Sequence, residues 1–590
     1  MSRRSFYTSL LCIVLCLLTL LDSDSMFAPY LLVSLFAIFC LFKNQISDID
    51  KKSRAHRIIM IVSFIAAIFI TLANHGIWLH PVMPDIRSAL FVRICKLLYI
   101  IIILSGVYVS VYNILVFIRH DPQKMMFKSS SPDGRRPILF FLIPFVGISV
   151  LYLTIYFCCY YPGLLSLDSI DQVDQIFTGV YSNHQPFYHT LLISLFIRTG
   201  LAVSGNINAA VCAYAIFQVV FMAAVFSFVI YNMALLRLPT SAAVITGIWY
   251  ALMPFHIMFS FTVWKDVLFG AFVTCLITFF IRLMTDIGNR SLNYIGFAIS
   301  GPFICLLRSN GLFAYLFVFL AMILLSRKQK KILYIMLTTI LVCLFLKHGL
   351  LKICGVTAPD TVESLSIPLQ QISRVIVEDG YIEEADRELF SQIIDIDSVK
   401  DEYDPEISDP IKNMIRDFGN QEYLSQNIGA FGAAYLKTFV HNPMTYVIAW
   451  TDSTRGYWNS GYDYWIWYWD VESNGFGITR SVASPRVLQI MDEYLWLYYN
   501  NTIFRVFTAI GLHVWILLML LSVNIFTGNR TGIIAAIPIL AILLSLLISS
   551  PVFSEFRYMY ALFCSLPIIT AITLSKSCQY NREGSNEDNM

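Results

Sequence analysis

The chain has 590 residues, of which 57% are hydrophobic, 15% aromatic and only 14% charged, and its mean hydropathy is +0.66. Soluble globular chains carry about 25% charged residues, so the composition excludes a soluble enzyme, a disordered scaffold and a secreted disulfide module. A net charge of +2 leaves no global field to recruit nucleic acid, and apolar runs long enough to cross a ~30 Å hydrocarbon core recur throughout, the mark of a polytopic membrane protein.

The chain opens with Ser2-Arg3-Arg4 before an apolar run at 6–22. No small-residue cleavage site follows and a second run begins at once, so this reads as a span rather than a signal peptide. Further spans are predicted at 26–43, 58–79, 97–117 and 138–160. The connections holding Lys43, Lys51, Lys52, Arg54 and Arg57, and then Arg119, Lys124, Lys128, Arg135 and Arg136, are basic. Positive-inside bias puts both in the cytoplasm with the N-terminus, so the segment after Tyr160 emerges outside.

Spans then fit at 206–233, 240–259, 266–284, 292–307, 311–326, 331–349, 502–524, 532–550 and 558–575. The run 186–204 is read as an amphipathic helix along the outer surface, because Arg237, Arg282, Arg290 and the cluster Arg327-Lys328-Gln329-Lys330-Lys331 then fall inside. The alternative lets 186–204 span and 292–326 cross once, which would bury Arg308 in the bilayer at high cost. The expectation is an all-α membrane protein of about fourteen transmembrane helices with both termini cytoplasmic.

Residues 1–137 form a four-span extension, 138–349 a membrane core with its first outer loop at 161–205, and 501–577 the last spans before a cytoplasmic tail, 578–590. Between them, 350–500 has no long apolar run and is read as an extracytoplasmic loop domain of mixed structure. It is acidic around Glu378 to Glu422, has a candidate helix from Phe431 to Trp450 lying on or dipping into the membrane, and carries an aromatic stretch from Tyr457 to Trp469, read as a belt at the membrane interface or else as flat faces for a sugar ring or a lipid acceptor. The 13 cysteines show no CxxC pair and no Cys/His ligand spacing, and read as small apolar packing residues.

Chemistry concentrates on the outer side. After the Pro162-Gly163 turn, Ser166 is placed to cap a helix on which Asp168, Asp171 and Asp174 or Gln175 share a face. Carboxylates held together at a membrane boundary can act as a general base, or can simply complement the helix dipole. Next come His184 and His189 around Pro186, a pair without established metal-ligand spacing. Lys265, Arg308 and Arg557 each fall at an outer boundary where basic residues are least expected, and cations there suit a lipid phosphate; local ion pairs such as Lys265 with Asp266 and Arg557 with Glu555 are the plainer reading.

The order of Asp168 in the first outer loop and then His184-Gln185-Pro186 opening a juxtamembrane helix resembles the GT-C superfamily of membrane glycosyltransferases. A group of uncharacterised bacterial membrane proteins related to that superfamily is resembled more closely. The likeness lies in Asp168-Ser169, Asn183 to Phe187, Trp264-Lys265-Asp266, Arg308 to Gly311, Glu363 to Gln371 with Gln370 within it, and Glu555-Phe556-Arg557-Tyr558. It runs from about Tyr161 to the last span, and leaves the first four spans as an extension before a GT-C-like core.

The resemblance implies an inverting glycosyltransferase of the bacterial plasma membrane with an outward-facing site. Its donor would be a sugar linked to polyprenyl phosphate, and its acceptor an envelope glycan, lipid or protein. Asp168, with Asp171 as second choice, would be the base; Arg557, Arg308 or Lys265 would stabilise the leaving phosphate. His184 would position a substrate, and Asp266, Glu363, Gln370 and Tyr558 complete the substrate-binding set. Some members use a divalent cation and others none. Two other classes share these residues: a transporter or flippase of a lipid-linked envelope intermediate, and a non-catalytic scaffold docking through 350–500.

Overall fold

A computed structural model describes residues 54–72, 105, 107–119, 136–459 and 464–575 of the chain. The expected spans at 6–22 and 26–43 lie outside the described residues, as do parts of 58–79 and 97–117, the tail 578–590, and residues 460–463 of the aromatic stretch. Among the described residues the protein is all-helical, with isolated bridges but no strand. The loop domain is therefore helical rather than mixed.

The membrane core starts with α1 (Leu139–Ile155), which a single wider turn extends to Tyr160. A short helix α2 (Leu167–Thr178) and then α3 (Phe187–Ser204) follow, before α4 (Ile207–Leu235). The α3–α4 corner is set by local chemistry. Gly205 adopts φ 65°, which costs a glycine nothing, and the Asn206 side chain accepts from the backbone N–H groups of Asn208 and Ala209.

Next come α5 (Thr240–Leu252) and α6 (Pro254–Ser260), bent by 56° at the proline. Then α7 (Lys265–Met284), α8 (Arg290–Leu307), α9 (Gly311–Ser326) and α10 (Lys330–Leu344) run back and forth. The loop domain contributes α11 (Ser366–Val377), α12 (Asp409–Asp417), α13 (Ile428–His441) and α14 (Pro443–Thr454), after which α15 (Ile510–Thr527), α16 (Arg530–Ser549) and α17 (Tyr560–Leu574) complete the bundle. Among the described residues, eight helical stretches are long and apolar enough to cross a membrane, or nine if the bent α5–α6 pair is one span. This is a multi-pass membrane protein.

The bundle is organised around α7, which packs on α8 and α17. Gly270 of α7 makes the α17 contact close: a Cβ there would stand 3.1 Å from the Tyr560 ring. The two ends of the bundle differ. One carries Arg237, Arg282, Arg290, the basic cluster at 327–331 and Arg530, with Arg282 buried against Asn232 and Asn293. At the other, backbone pairs tie Leu164 to Phe261 and Val263, Glu472 to Leu165, Ser481 to Tyr161 and Gly456 to Phe553. These segments are far apart in sequence, and their convergence builds the site end.

Helix α3 is long and apolar enough to span, but its contacts show it lying across α4. Gly200 meets Ala210, Phe196 packs edge-on against Tyr214 and tilted against Phe217, and His189 bonds Tyr214. All fall within about two turns of α4, whereas a helix of this length extends ~27 Å. Both of its ends therefore stay at the site end.

The loop domain has its own apolar cluster, including Val362, Leu369, Ile372, Phe390, Ile411 and Ile415. Its principal helices are α11, α12, α13 and α14. The expected surface helix over 431–450 is thus two helices, broken at Asn442. The aromatic stretch is not a belt turned to lipid. Tyr457, Trp458 and Trp467 are buried in the same cluster as the bundle core, because the described parts of the stretch pack on the site end.

Gly311, at the start of α9, fixes the turn after Arg308: a Cβ there would run into the Ile304 carbonyl. Gly311→Ala should cost about 1–3 kcal/mol by overpacking. A thermal melt of the detergent-solubilised protein should show a lowered midpoint; an unchanged midpoint would contradict this packing.

Candidate functional site

Asp168 stands in the first turn of α2, and the side chains of Ser166, Ser169 and Gln172 hold that helix in place. Ser166 occupies the N-cap position, but its hydroxyl makes no cap bond; it accepts the indole N–H of Trp264 at 2.7 Å. Ser169 donates to the Val263 carbonyl at 2.7 Å. One turn on, Gln172 donates to Thr190 at 2.9 Å and accepts from His189 Nδ1 at 3.0 Å, while His189 Nε2 accepts from the Tyr214 hydroxyl at 2.9 Å. Both ring nitrogens of His189 are thereby used, which makes it a buried clamp between α2, α3 and α4. Among the described residues no group of three or more His, Cys, Asp or Glu is arranged to hold a metal ion.

The Asp168 carboxylate meets cations from two other segments. Arg557 Nη1 lies 2.6 Å from its Oδ2, and Lys265 Nζ 3.8 Å. Lys265 also donates to Gln185, at the end of the α2–α3 connection. Burial alone would raise the Asp168 pKa, but Arg557 and Lys265 overturn that and hold the carboxyl well below the usual range.

Arg557 is framed by rings: its guanidinium carbon lies 5.3 Å from the Trp264 centroid, 5.4 Å from Tyr558 and 5.8 Å from Trp465. Arg308 lies 4.6 Å over Tyr558 and is ion-paired with Asp266, whose side chain is fully buried. Behind Arg557 sits Glu555, its Oε1 3.1 Å from Arg557 Nε. Burial pushes the Glu555 carboxyl up to about 7; Arg557 opposes this, while Asp266 and Asp168 add to it.

A cavity of about 880 Å³ opens between this wall and the loop domain. Asp168, Lys265, Arg308, Arg557 and Tyr558 line one side, with His184 at the edge, and Glu363 lines the other. His184 Nδ1 is 4.0 Å from a Glu363 oxygen, so the two sides meet there. Glu363 is paired with Lys412 and Arg416; burial raises its pKa, and these cations outweigh it and keep the carboxyl below its ordinary value.

Three expected residues stand elsewhere. Asp266 lies behind the wall as the partner of Arg308. Asp171 is exposed on the surface of α2 and lines no part of the cavity; partial desolvation of its carboxyl and neighbouring Asp168 push its pKa up. Gln370 is buried in α11, donating to the Asp404 carbonyl at 2.7 Å, and braces the loop domain. Conversely, Lys412 and Arg416 line the cavity although nothing in the sequence singled them out, since a Lys and an Arg one turn apart on a soluble-looking helix read as a solvated face.

The chain belongs to DUF6020, a family of unknown function whose model matches residues 177–587. The matched stretch contains both walls except Asp168 and its turn, which precede it. No curated protein and no solved structure matches the chain.

Glu555 supplies a test of the electrostatics. Its folded pKa, about 7, exceeds its ordinary 4.5, so the folded state binds more protons in that window and this group's contribution to stability is lost as pH rises through it. Glu555→Gln removes that loss. The melting temperature of the variant relative to the parent should be higher at pH 8 than at pH 5; an equal difference at both would refute the assignment.

Proposed function

We propose that the protein is a membrane glycosyltransferase that moves a sugar from a polyprenyl-phosphate-linked donor to a cell-envelope acceptor. The observation that carries this reading is the partly exposed Asp168 carboxylate held by Arg557 and Lys265 at the rim of a large cavity. The basic residues at the opposite end favour an outward-facing site by the positive-inside rule. GT-C-like architecture is part of the proposal and rests on the motif resemblance.

In this reaction the acceptor hydroxyl loses its proton to Asp168 as its oxygen attacks the anomeric carbon. The bond from that carbon to the phosphate oxygen breaks, and the phosphate leaves with the electron pair. Arg557, Lys265 and Arg308 stabilise the charge that develops there, the kind of term that is often the largest in catalysis. Asp168 is a weak base while both cations hold it. Of the three carboxylates, Asp266 and Glu555 are almost fully buried, whereas the Asp168 side chain is 30% exposed. A donor phosphate can therefore take its place on Arg557 and Lys265, and in doing so raises its basicity. Chemistry then waits for the donor.

Phe313, Leu546 and Ile548 give the cavity an apolar flank between α9 and α16, suited to the first units of a lipid chain. A flippase would instead need a polar path across the bundle. Below the site the core is packed with Phe226, Phe255, Phe259 and Phe563, which favours transfer over transport.

Asp168→Asn in lipid nanodiscs should lower release of polyprenyl phosphate from sugar-bearing donors by about 10²–10⁴-fold, without weakening the binding of polyprenyl phosphate. Parental turnover in the variant, or lost phosphate binding, would remove Asp168 from this role.

A further inference from the structure

The second wall of the cavity differs from the first in kind. It is formed by the short helical turn Thr361–Leu365, the residues just before it, and α12. Asp360, Glu363 and Asp409 face Lys412 and Arg416, which leaves one negative charge in excess. The Lys412 ammonium is almost fully buried and is held by Glu363 at 3.1 Å and by Asp409 at 2.6 Å. Arg416 is held by Asp360 at 3.1 Å, by Glu363, and by the side-chain amide oxygen (Oδ1) of Asn413 at 3.0 Å. Both cations are committed to carboxylates and amide within the wall, so neither is a free grip for phosphate.

What remains for a ligand is acceptor capacity. An ionised carboxylate offers about four lone-pair sites, and the two cations occupy only some of those on Asp360, Glu363 and Asp409. Asn413 is exposed and, with its oxygen engaged by Arg416, keeps its amide N–H groups as donors. Adjacent acceptors and donors of this type match the paired hydroxyls of a sugar ring. The excess negative charge repels phosphate towards the opposite wall, where Lys265, Arg308 and Arg557 stand. Counted with Asp168, Asp266 and Glu555, the opposite wall is still the less negative of the two, so a molecule with a phosphate at one end and hydroxyls at the other is favoured in one orientation.

We infer that the loop-domain wall formed by Asp360, Glu363, Asp409 and Asn413 is a polyol subsite that takes the hydroxyls of a sugar. The inference rests on the glycosyltransferase reading for the phosphate at the other wall. The sugar can arrive on the donor or as the acceptor; the chemistry of the wall is the same for both.

Asp409→Asn and Asn413→Ala test this without undoing the wall, because Lys412 keeps Glu363 and Arg416 keeps Asp360 and Glu363. The full chain in nanodiscs is titrated with farnesyl phosphate, with farnesyl-phosphoryl hexoses, and with the octyl glycosides of the same hexoses. At least one sugar-bearing probe should bind the parent protein about tenfold or more tighter than its sugar-free counterpart, farnesyl phosphate or octanol, and both variants should lose that margin. Farnesyl phosphate affinity should stay within about twofold of the parent. A gain carried by the phosphoryl hexose assigns the wall to the donor, and one carried by the glycoside assigns it to the acceptor. If no sugar-bearing probe exceeds its counterpart, or if the variants weaken farnesyl phosphate equally, the subsite is refuted. If the parent binds no farnesyl phosphate at all, the glycosyltransferase reading fails instead, and the glycoside arm still decides the wall.

Discussion

The ion pair between Asp168 and Arg557 joins residues 389 positions apart, and the site end of the bundle depends on it. Arg557 opens the last span and Asp168 opens the first helix after α1, so the pair closes a ring that α7 completes through Lys265. Burying such charges costs several kcal/mol per ion unless partners repay it. Here the repayment comes from aromatic faces around Arg557, from the Arg308–Asp266 pair, and from Glu555, whose high pKa lets it shed its charge. The surroundings make these groups tolerable, yet apolar side chains of similar size would pack there at less cost. A cluster of charges kept against that gradient is a sign of use.

The same arrangement explains how a rigid bundle can hold an exchangeable contact. Asp266 and Glu555 are enclosed, so the positions of Arg308 and Arg557 are set without a ligand. Asp168 is the one carboxylate of the three with access to the cavity. Its helix is locked from behind by Ser169, Gln172 and His189, which leaves the carboxylate free to change partners while its backbone stays fixed. Preorganisation of this kind is what lets electrostatic stabilisation act without reorganisation during the reaction.

Much of this was legible in the sequence. Apolar run length identified a multi-pass membrane protein, though against the fourteen expected spans only eight or nine helical stretches among the described residues are long and apolar enough to cross. The placement of Arg and Lys set the basic end of the bundle apart from the end where the site lies, because both signals follow from transfer energies that act residue by residue. The positive-inside rule also flagged Lys265, Arg308 and Arg557 as cations out of place, and the structure gathers them on one wall with Asp168. Less visible was anything set by long-range packing. Asp171 has the same spacing logic as Asp168, but α2 is rotated so that only Asp168 meets Arg557. Gln370 sits in a motif beside Glu363, yet the turn before α11 sends Glu363 to the cavity and Gln370 to the core. Tyr457, Trp458, Trp465 and Trp467 have the composition of a membrane belt, and only the fold shows that they pack on the bundle end, with Trp465 beside Arg557. Lys412 and Arg416 became part of the site because a loop domain with its own core is laid over it.

The central claim is that the phosphate of a lipid-linked sugar docks on Lys265, Arg308 and Arg557 and that the sugar is then transferred. The most direct measurement is a profile of lipid-linked sugars and envelope glycans in cells with the gene and in cells lacking it. The account predicts that loss of the gene removes one sugar decoration and accumulates its polyprenyl-phosphate-linked donor. Identical glycan and lipid profiles in the two strains, under conditions where the protein is made, would contradict it.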